Sequence, residues 1–499
     1  MRRTHSHSIT TLVAVCLSAT ALEAQGSPAL DAAARTMGGK DRLVAVRTMV
    51  LEGTGQQLNF GQNVTPSAQT MFEVTAWKRS FDFANRRWFM DLTRVPKFTT
   101  GNMNPQRQRS GLDGAPDGVA YNIGNNDNMT RAGGAASADR MWEFVTTPIG
   151  FVMAAYQSAV PATEEAAPNN RRRVSITLMG TSLSMLIDSR TNLPATIERK
   201  TYQPMLGDVV LATDVSDYQD VDGYKVPTRF VQRYENLFTI GDIRVTSTRI
   251  NADVGNIAAT DSVRNIVVQA GQPAAPNIAV DSLAPGVWRI GGGSHHTIAI
   301  ELSNQVVLVE APQNDARALA AIAKARELRP GKRLDLLVNT HHHFDHSGGV
   351  RAAISEGLTI VTHEGNREFY ERVVYPRAHT STPDALAKNP KPLKIRAVGQ
   401  THVINDPMRT IEIHHVAGNA HNGNMLVVYL PAEKILIQAD LYNPPAANAP
   451  PNAPPPVFPF ARNLLETIQS KRLQVDRVVG IHGNPVSFAD FQAAATRGP

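Results

Sequence analysis

Thr340-His341-His342-His343-Phe344-Asp345-His346-Ser347-Gly348-Gly349 is the stretch that decides how this chain is read. It crowds imidazoles and a carboxylate into residues 341–346, directly after an apolar run (Leu334, Leu336, Leu337, Val338) that reads as a buried strand. On an extended segment leaving a strand, side chains alternate, so His341 and His343 share one side and His342 turns away. Asp345 and His346 follow at the turn into a helix, where they can face a second ion. Gly348 and Gly349 let the chain reverse closely beneath the group.

The histidines are unevenly distributed along the chain. Thirteen of the fifteen follow residue 290, and none lies between 8 and 294. Cys16 is the only cysteine. A metal site built on nitrogen donors therefore belongs to the C-terminal part of the chain; Cys16 lies inside the signal segment read below, so the mature chain is expected to hold no cysteine and to form no disulfide, thiolate nucleophile or Cys-ligated zinc site.

Working outward, residues 1–24 read as a secretory signal. Arg2 and Arg3 precede a short apolar centre, Ile9 to Leu22, with small residues at the cleavage region. The expected location is periplasmic or secreted. No run approaches the ~20 apolar residues a transmembrane helix needs. At 499 residues the chain exceeds one core, and its 42% hydrophobic and 19% charged content is that of ordinary globular protein. The formal charge of +6 is spread along the chain apart from Arg171-Arg172-Arg173, which argues for solubility rather than nucleic-acid binding. The oligomeric state cannot be read from these features.

Residues 25–270 read as an antiparallel β-rich domain. A short helix over 28–38 stops at Gly38-Gly39, after which a period of two prevails, as in Met71 to Phe81, Val174 to Leu178 and Arg229 to Tyr234. Asp139 to Ala155 is a helical candidate with breaks at Pro148 and Gly150, and Ala159 to Asn170 reads as a polar loop. Residues 271–285, with three prolines, read as a linker. From 286 to 499 strands and helices alternate, which gives an α+β chain overall: sheets with helices packed outside, preceded by the antiparallel domain.

The pattern His341-x-His343-x-Asp345-His346 followed by glycines resembles the metallo-β-lactamase-fold hydrolase superfamily. The resemblance implies an αββα sandwich over 286–499. It also implies further ligands after later strands: His421 in Gly418-Asn419-Ala420-His421-Asn422-Gly423, Asp440 after Ile435 to Ala439, and His482 after Val475 to Ile481. By this resemblance His341, His343 and His421 hold one ion, Asp345, His346 and His482 a second, and Asp440 bridges them. Histidine at 343 and aspartate at 440 set the chain apart from flavodiiron and cysteine-using β-lactamase branches, and the set is more similar to glyoxalase II and lactonase branches. More weakly, Ser216 to Pro227 resembles the strand-turn-strand of periplasmic lipoprotein-carrier-like half-barrels.

Nitrogen and carboxylate donors without thiolates suit zinc, two ions in the expected case, with manganese or iron as alternatives. A bridging hydroxide would attack an ester, thioester, lactone or amide carbonyl of a small-molecule substrate. Asp345 is the expected catalytic residue, orienting the nucleophile and returning a proton. His295 and His296, in the Gly-rich loop 291–296, and Tyr442, beside the proline-rich stretch 443–456, are candidate substrate contacts. Two other readings stay open: a mononuclear iron dioxygenase on the same ligands, and a carrier of apolar ligands whose metal domain is secondary.

Overall fold

The computed structural model describes residues 27–98, 104–114, 118–267, 276–444 and 459–497. The leader expected over 1–24 and residues 445–456 of the proline-rich stretch lie outside them. The first described helix, Pro28–Thr36, begins where Ser27 Oγ accepts from the Leu30 amide and Pro28 presets the first turn. Its apolar face (Leu30, Ala33, Ala34) is buried against the first sheet.

That sheet has thirteen strands between Thr48 and Ile250. Thr48–Leu58 pairs on one side with Met71–Asp82 and on the other with the last strand, Phe238–Ile250. Every other strand pairs antiparallel with its sequence neighbour, so two meanders are joined at their first and last strands. The turn Asp222-Gly223 takes positive φ at both residues (51° and 76°), the two-residue hairpin geometry that matches strand twist. It joins Gly207–Val221 to Tyr224–Tyr234. The helical candidate at 139–155 is two helices, Gly134–Met141 and Pro148–Gln157, separated by a 3-10 turn, and Thr147 caps the second.

Two stretches read as irregular are strands. Thr163–Ala167 pairs with Arg171–Leu178, and Ala279–Ala284, inside the expected linker, pairs with Val287–Gly291. Both lie at sheet edges with most side chains exposed, so no apolar alternation marks them.

From residue 279 onward two sheets pack face to face, one of seven strands and one of six. The period of two sorts side chains between layers. In Gln305–Val309, Val307 and Val309 face the opposite sheet, while Val306 and Leu308 face helices Asp315–Leu328 and Val350–Ser355. In Leu426–Leu430, Leu426, Val428 and Leu430 fill the inter-sheet core, and Val427 and Tyr429 meet helices Pro459–Ser470 and Phe488–Thr496. Four layers result, helix–sheet–sheet–helix. The outer core of the seven-stranded sheet extends into the N-terminal unit through Leu58, Met205, Leu206, Val209 and Phe238. Among the described residues no helix is long and apolar enough to cross a membrane.

Candidate metal centre

Several strands of the sandwich end in polar residues that meet. Strand Arg333–Val338 delivers His341 to His343, and the short helix Phe344–Ser347 turns Asp345 and His346 toward them. The close reversal under them is steric: a Cβ at Gly348 would lie 2.2 Å from the Gln313 carbonyl oxygen, and one at Gly349 would lie 2.3 Å from Ala318 Cβ. Glu310 and Asp440 each follow a buried strand and take positive φ (73° and 62°), a conformation that costs a non-glycine residue energy and aims each carboxylate inward. His421 comes from the loop after Thr410–His415, His482 from the end of Arg477–Gly480, and His295 from the loop after Val287–Gly291.

Potential ligand atoms fall into overlapping groups, in each of which they lie within 4.8 Å of one another: His341, His343, His421 and Asp440; His295, Asp345, His346 and His482; and Glu310, His341 and His346. Asp440 stands between the first two. Its Oδ2 is 2.9 Å from His346 Nε2, 3.1 Å from His421 Nε2 and 3.4 Å from His341 Nε2, and its Oδ1 is 2.8 Å from His482 Nε2. All seven residues expected as ligands are thus gathered in one place, and His295, expected only as a substrate contact, stands among them with Nε2 3.3 Å from Asp345 Oδ2.

Two of the expected residues are elsewhere. Tyr442 is 4% exposed, its ring packed on Phe491 at 5.4 Å in the helical core, because the turn after Asp440 folds back onto Gln438. His296 turns toward Gly291, and burial holds its imidazole down to about 4. His342 is buried apart from the group, its Nδ1 3.0 Å from the Asn422 amide. The His363 ring lies tilted beside that of His415 at 4.2 Å, outside the three groups.

Burial drives the electrostatics. It pushes His341 down to about 4 and His343 well below the ordinary imidazole value, so both are neutral. Burial also opposes ionisation of Asp440 and Asp345, yet both carboxyls are held low, Asp440 foremost by His346 and Asp345 foremost by its hydrogen bond from His295. His346 is raised against its burial by the Asp440 and Glu310 carboxylates.

These donors fit a cation. His343 Nε2 faces the Asn63 carbonyl at 2.9 Å and His482 Nδ1 faces the Ser294 carbonyl at 3.1 Å. A carbonyl only accepts, so each ring carries its proton there and offers a lone pair at the other nitrogen. His343 Nδ1 and His341 Nε2 are buried without hydrogen-bond partners. Such orphans are costly in a folded core unless a further group satisfies them.

Glu310 is a site residue that sequence reasoning passed over. It is fully buried and accepts from the Thr340 amide at 2.9 Å; its other oxygen is 3.7 Å from His346 Nδ1. A carboxylate ending an apolar strand was the available signal. Gln62 and Asn63 were missed as well, and no motif marks them.

Residues 290–456 match the family model of the metallo-beta-lactamase superfamily. Solved structures with similarity include metallo-β-lactamase FIM-1 from Pseudomonas aeruginosa in its mono-zinc form, 18% identical, covering 45% of this chain and 96% of that one at a TM-score of 0.34. Metallo-β-lactamases from Hirschia baltica and Pontibacter korlensis are each 19% identical, cover 44% of this chain and 96% and 98% of their own, and score 0.33. No curated protein matches the chain significantly.

Proposed function

We propose, from the site described above and the match of residues 290–456 to the metallo-beta-lactamase superfamily model, that the chain is an exported hydrolase that holds two zinc ions and cleaves an ester, thioester, lactone or amide of a small molecule. The observation that carries this reading is the gathering of the seven expected ligands in one place, with four imidazoles within 3.4 Å of Asp440 and the lone pairs of His343 and His482 set by outer hydrogen bonds. His341, His343 and His421 would hold one ion, Asp345, His346 and His482 the other, and Asp440 both. When bound, the ions would supply a nucleophile from water at neutral pH and charge against a developing oxyanion.

The chain's own residues do the positioning. Asp440, whose side chain is 10% exposed, gives the buried imidazoles a fixed negative partner. The Asp345 side chain is 36% exposed, more than the other carboxylates of the three groups. Its Oδ2 is suited to orient the attacking water and to return a proton to the leaving group. His295, on the loop after Val287–Gly291, lines the same side at a ring distance of 4.0 Å from His482. The export part of the reading rests on the sequence of residues 1–24.

The test is elemental analysis of the purified chain together with a hydrolysis screen over lactones, thioesters, esters and β-lactams. Close to two zinc per chain is expected, with activity lost on chelation and in Asp345→Asn and His343→Ala. Turnover unchanged after complete metal removal would end the proposal.

A further inference from the structure

The strand pair Thr48–Leu58 and Met71–Asp82 belongs to the N-terminal sheet, yet the loop between them reaches the ligands of the sandwich. Gln62 Nε2 donates to Asp345 Oδ1 at 2.6 Å. The Asn63 carbonyl accepts from His343 Nε2 at 2.9 Å and from Asn422 Nδ2 at 3.4 Å. Around these contacts the loop is bound by its backbone: the Gly61 carbonyl accepts from the Phe344 amide at 3.0 Å, and the Val64 carbonyl from the Gly423 amide at 2.7 Å. One short segment therefore joins the stretch carrying His343 and Asp345, which follows a strand of the seven-stranded sheet, to the loop carrying His421, which follows a strand of the six-stranded sheet.

The loop is also anchored at its base. Phe60 sits among Phe344, Phe238 and Tyr234, with ring centroids 5.2 to 5.4 Å away. Gly61 takes φ 75°, and a Cβ there would stand 2.6 Å from the Phe344 ring. Asn63 is 3% exposed. A buried polar segment held on both sides is a rigid support.

We propose that Gln62 and the Asn63 carbonyl are positioning groups of the metal centre, so that the N-terminal sheet is part of the machinery for holding the ions. The Asn63 carbonyl keeps the proton of His343 on Nε2, which leaves Nδ1 as the ligand atom. The Gln62 amide occupies Asp345 Oδ1, which leaves Oδ2 turned to the group containing His295, His346 and His482. Outer partners of this kind set ligand orientation and basicity. Loss of the Gln62 amide frees the Asp345 carboxylate to rotate, and the ion it serves is then held less well.

This inference rests on the zinc reading above, and the experiment separates the two. Zinc is titrated into the metal-free full chain against a chromophoric chelator, for wild type, Gln62→Met and Gln62→Ser. One variant keeps bulk and the other keeps polarity, and they share only the lost amide. The expected result is one zinc bound with wild-type affinity and the other about 10–100-fold more weakly in both variants, with the melting transition of the metal-free protein unchanged. Two zinc ions held as tightly as in wild type by both variants would overturn the inference. So would an equal weakening of both ions alongside a lowered melting transition, because that pattern reports general loosening. A wild-type chain that takes up no zinc would overturn the hydrolase reading beneath it.

Discussion

The N-terminal sheet and the C-terminal sandwich contribute to the same centre in different currencies. The sandwich supplies donor atoms: all the imidazoles and carboxylates of the three groups come from residues 295–482. The N-terminal sheet has no histidine among residues 28–250 and supplies instead an amide and a carbonyl from one loop. Donor identity depends on side-chain chemistry, which any reader of the sequence can see. Support depends on where backbone and amide groups come to rest, which is a property of the folded pair. A region without ligands can thus decide how ligands behave.

The largest effect expected from breaking this division lies in the sandwich. Asp440→Asn keeps shape but removes the negative charge that four imidazoles face, within 3.4 Å. Hydrolysis should fall by about 10²–10³-fold, the scale of a lost preorganised electrostatic group, with zinc content falling in parallel. Steady-state kinetics on zinc-loaded protein checks this; an unimpaired Asp440→Asn enzyme would show that the chemistry sits elsewhere.

A smaller effect tests the N-terminal contribution without touching a ligand. Gly61→Ala forces a Cβ into the left-handed region and against the Phe344 ring. The strain is on the order of 1–3 kcal/mol, so the melting transition should drop and proteolysis within 59–70 should quicken. A melting curve identical to wild type would mean that the loop is not held against the sandwich.

The mildest prediction concerns pH and the second place where the two regions meet. Hydrogen bonds from the Ser381 and Thr380 hydroxyls, and from their backbone amides, hold the Asp208 carboxyl far below its usual range. Burial opposes ionisation of Glu235, but Arg377, 3.1 Å away, outweighs it and lowers that carboxyl too. Both are depressed in the folded protein. Their contribution is therefore complete above the unfolded values of ~3.9 and ~4.3 and is lost as pH falls through the lower folded values. The opening free energy of the 377–381 amides, taken from hydrogen exchange after division by the intrinsic pH-dependent rate, should fall below about pH 4 and stay flat from pH 6 to 8. Asp208→Asn should blunt the acid response. Loosening confined to neutral or alkaline pH would contradict the assignment.

Much of this centre was legible before any coordinates. His341, His343, Asp345 and His346 lie within one short segment, so their relative placement follows from local backbone geometry. His421, Asp440 and His482 were found because each follows an apolar strand and matches a familiar pattern. Tyr442 was misplaced for a physical reason: adjacency to a ligand in sequence says nothing about which side of a turn the next side chains take. There the core around Phe491 claimed the ring. The edge strands Thr163–Ala167 and Ala279–Ala284 escaped because an exposed strand carries no burial pattern to read.

By itself, the sequence determined that any nitrogen-rich metal site belongs to the C-terminal half, that it lacks thiolates, and that its first ligands share one turn. These are consequences of composition and of short-range geometry. Only the tertiary structure decided that Glu310 lies behind His346, that His295 stands among the ligands, and that Gln62 and the Asn63 carbonyl reach Asp345 and His343 across 280 residues or more. Contacts at that separation depend on how two cores pack together, and a carbonyl or amide placed there leaves no pattern in the order of residues.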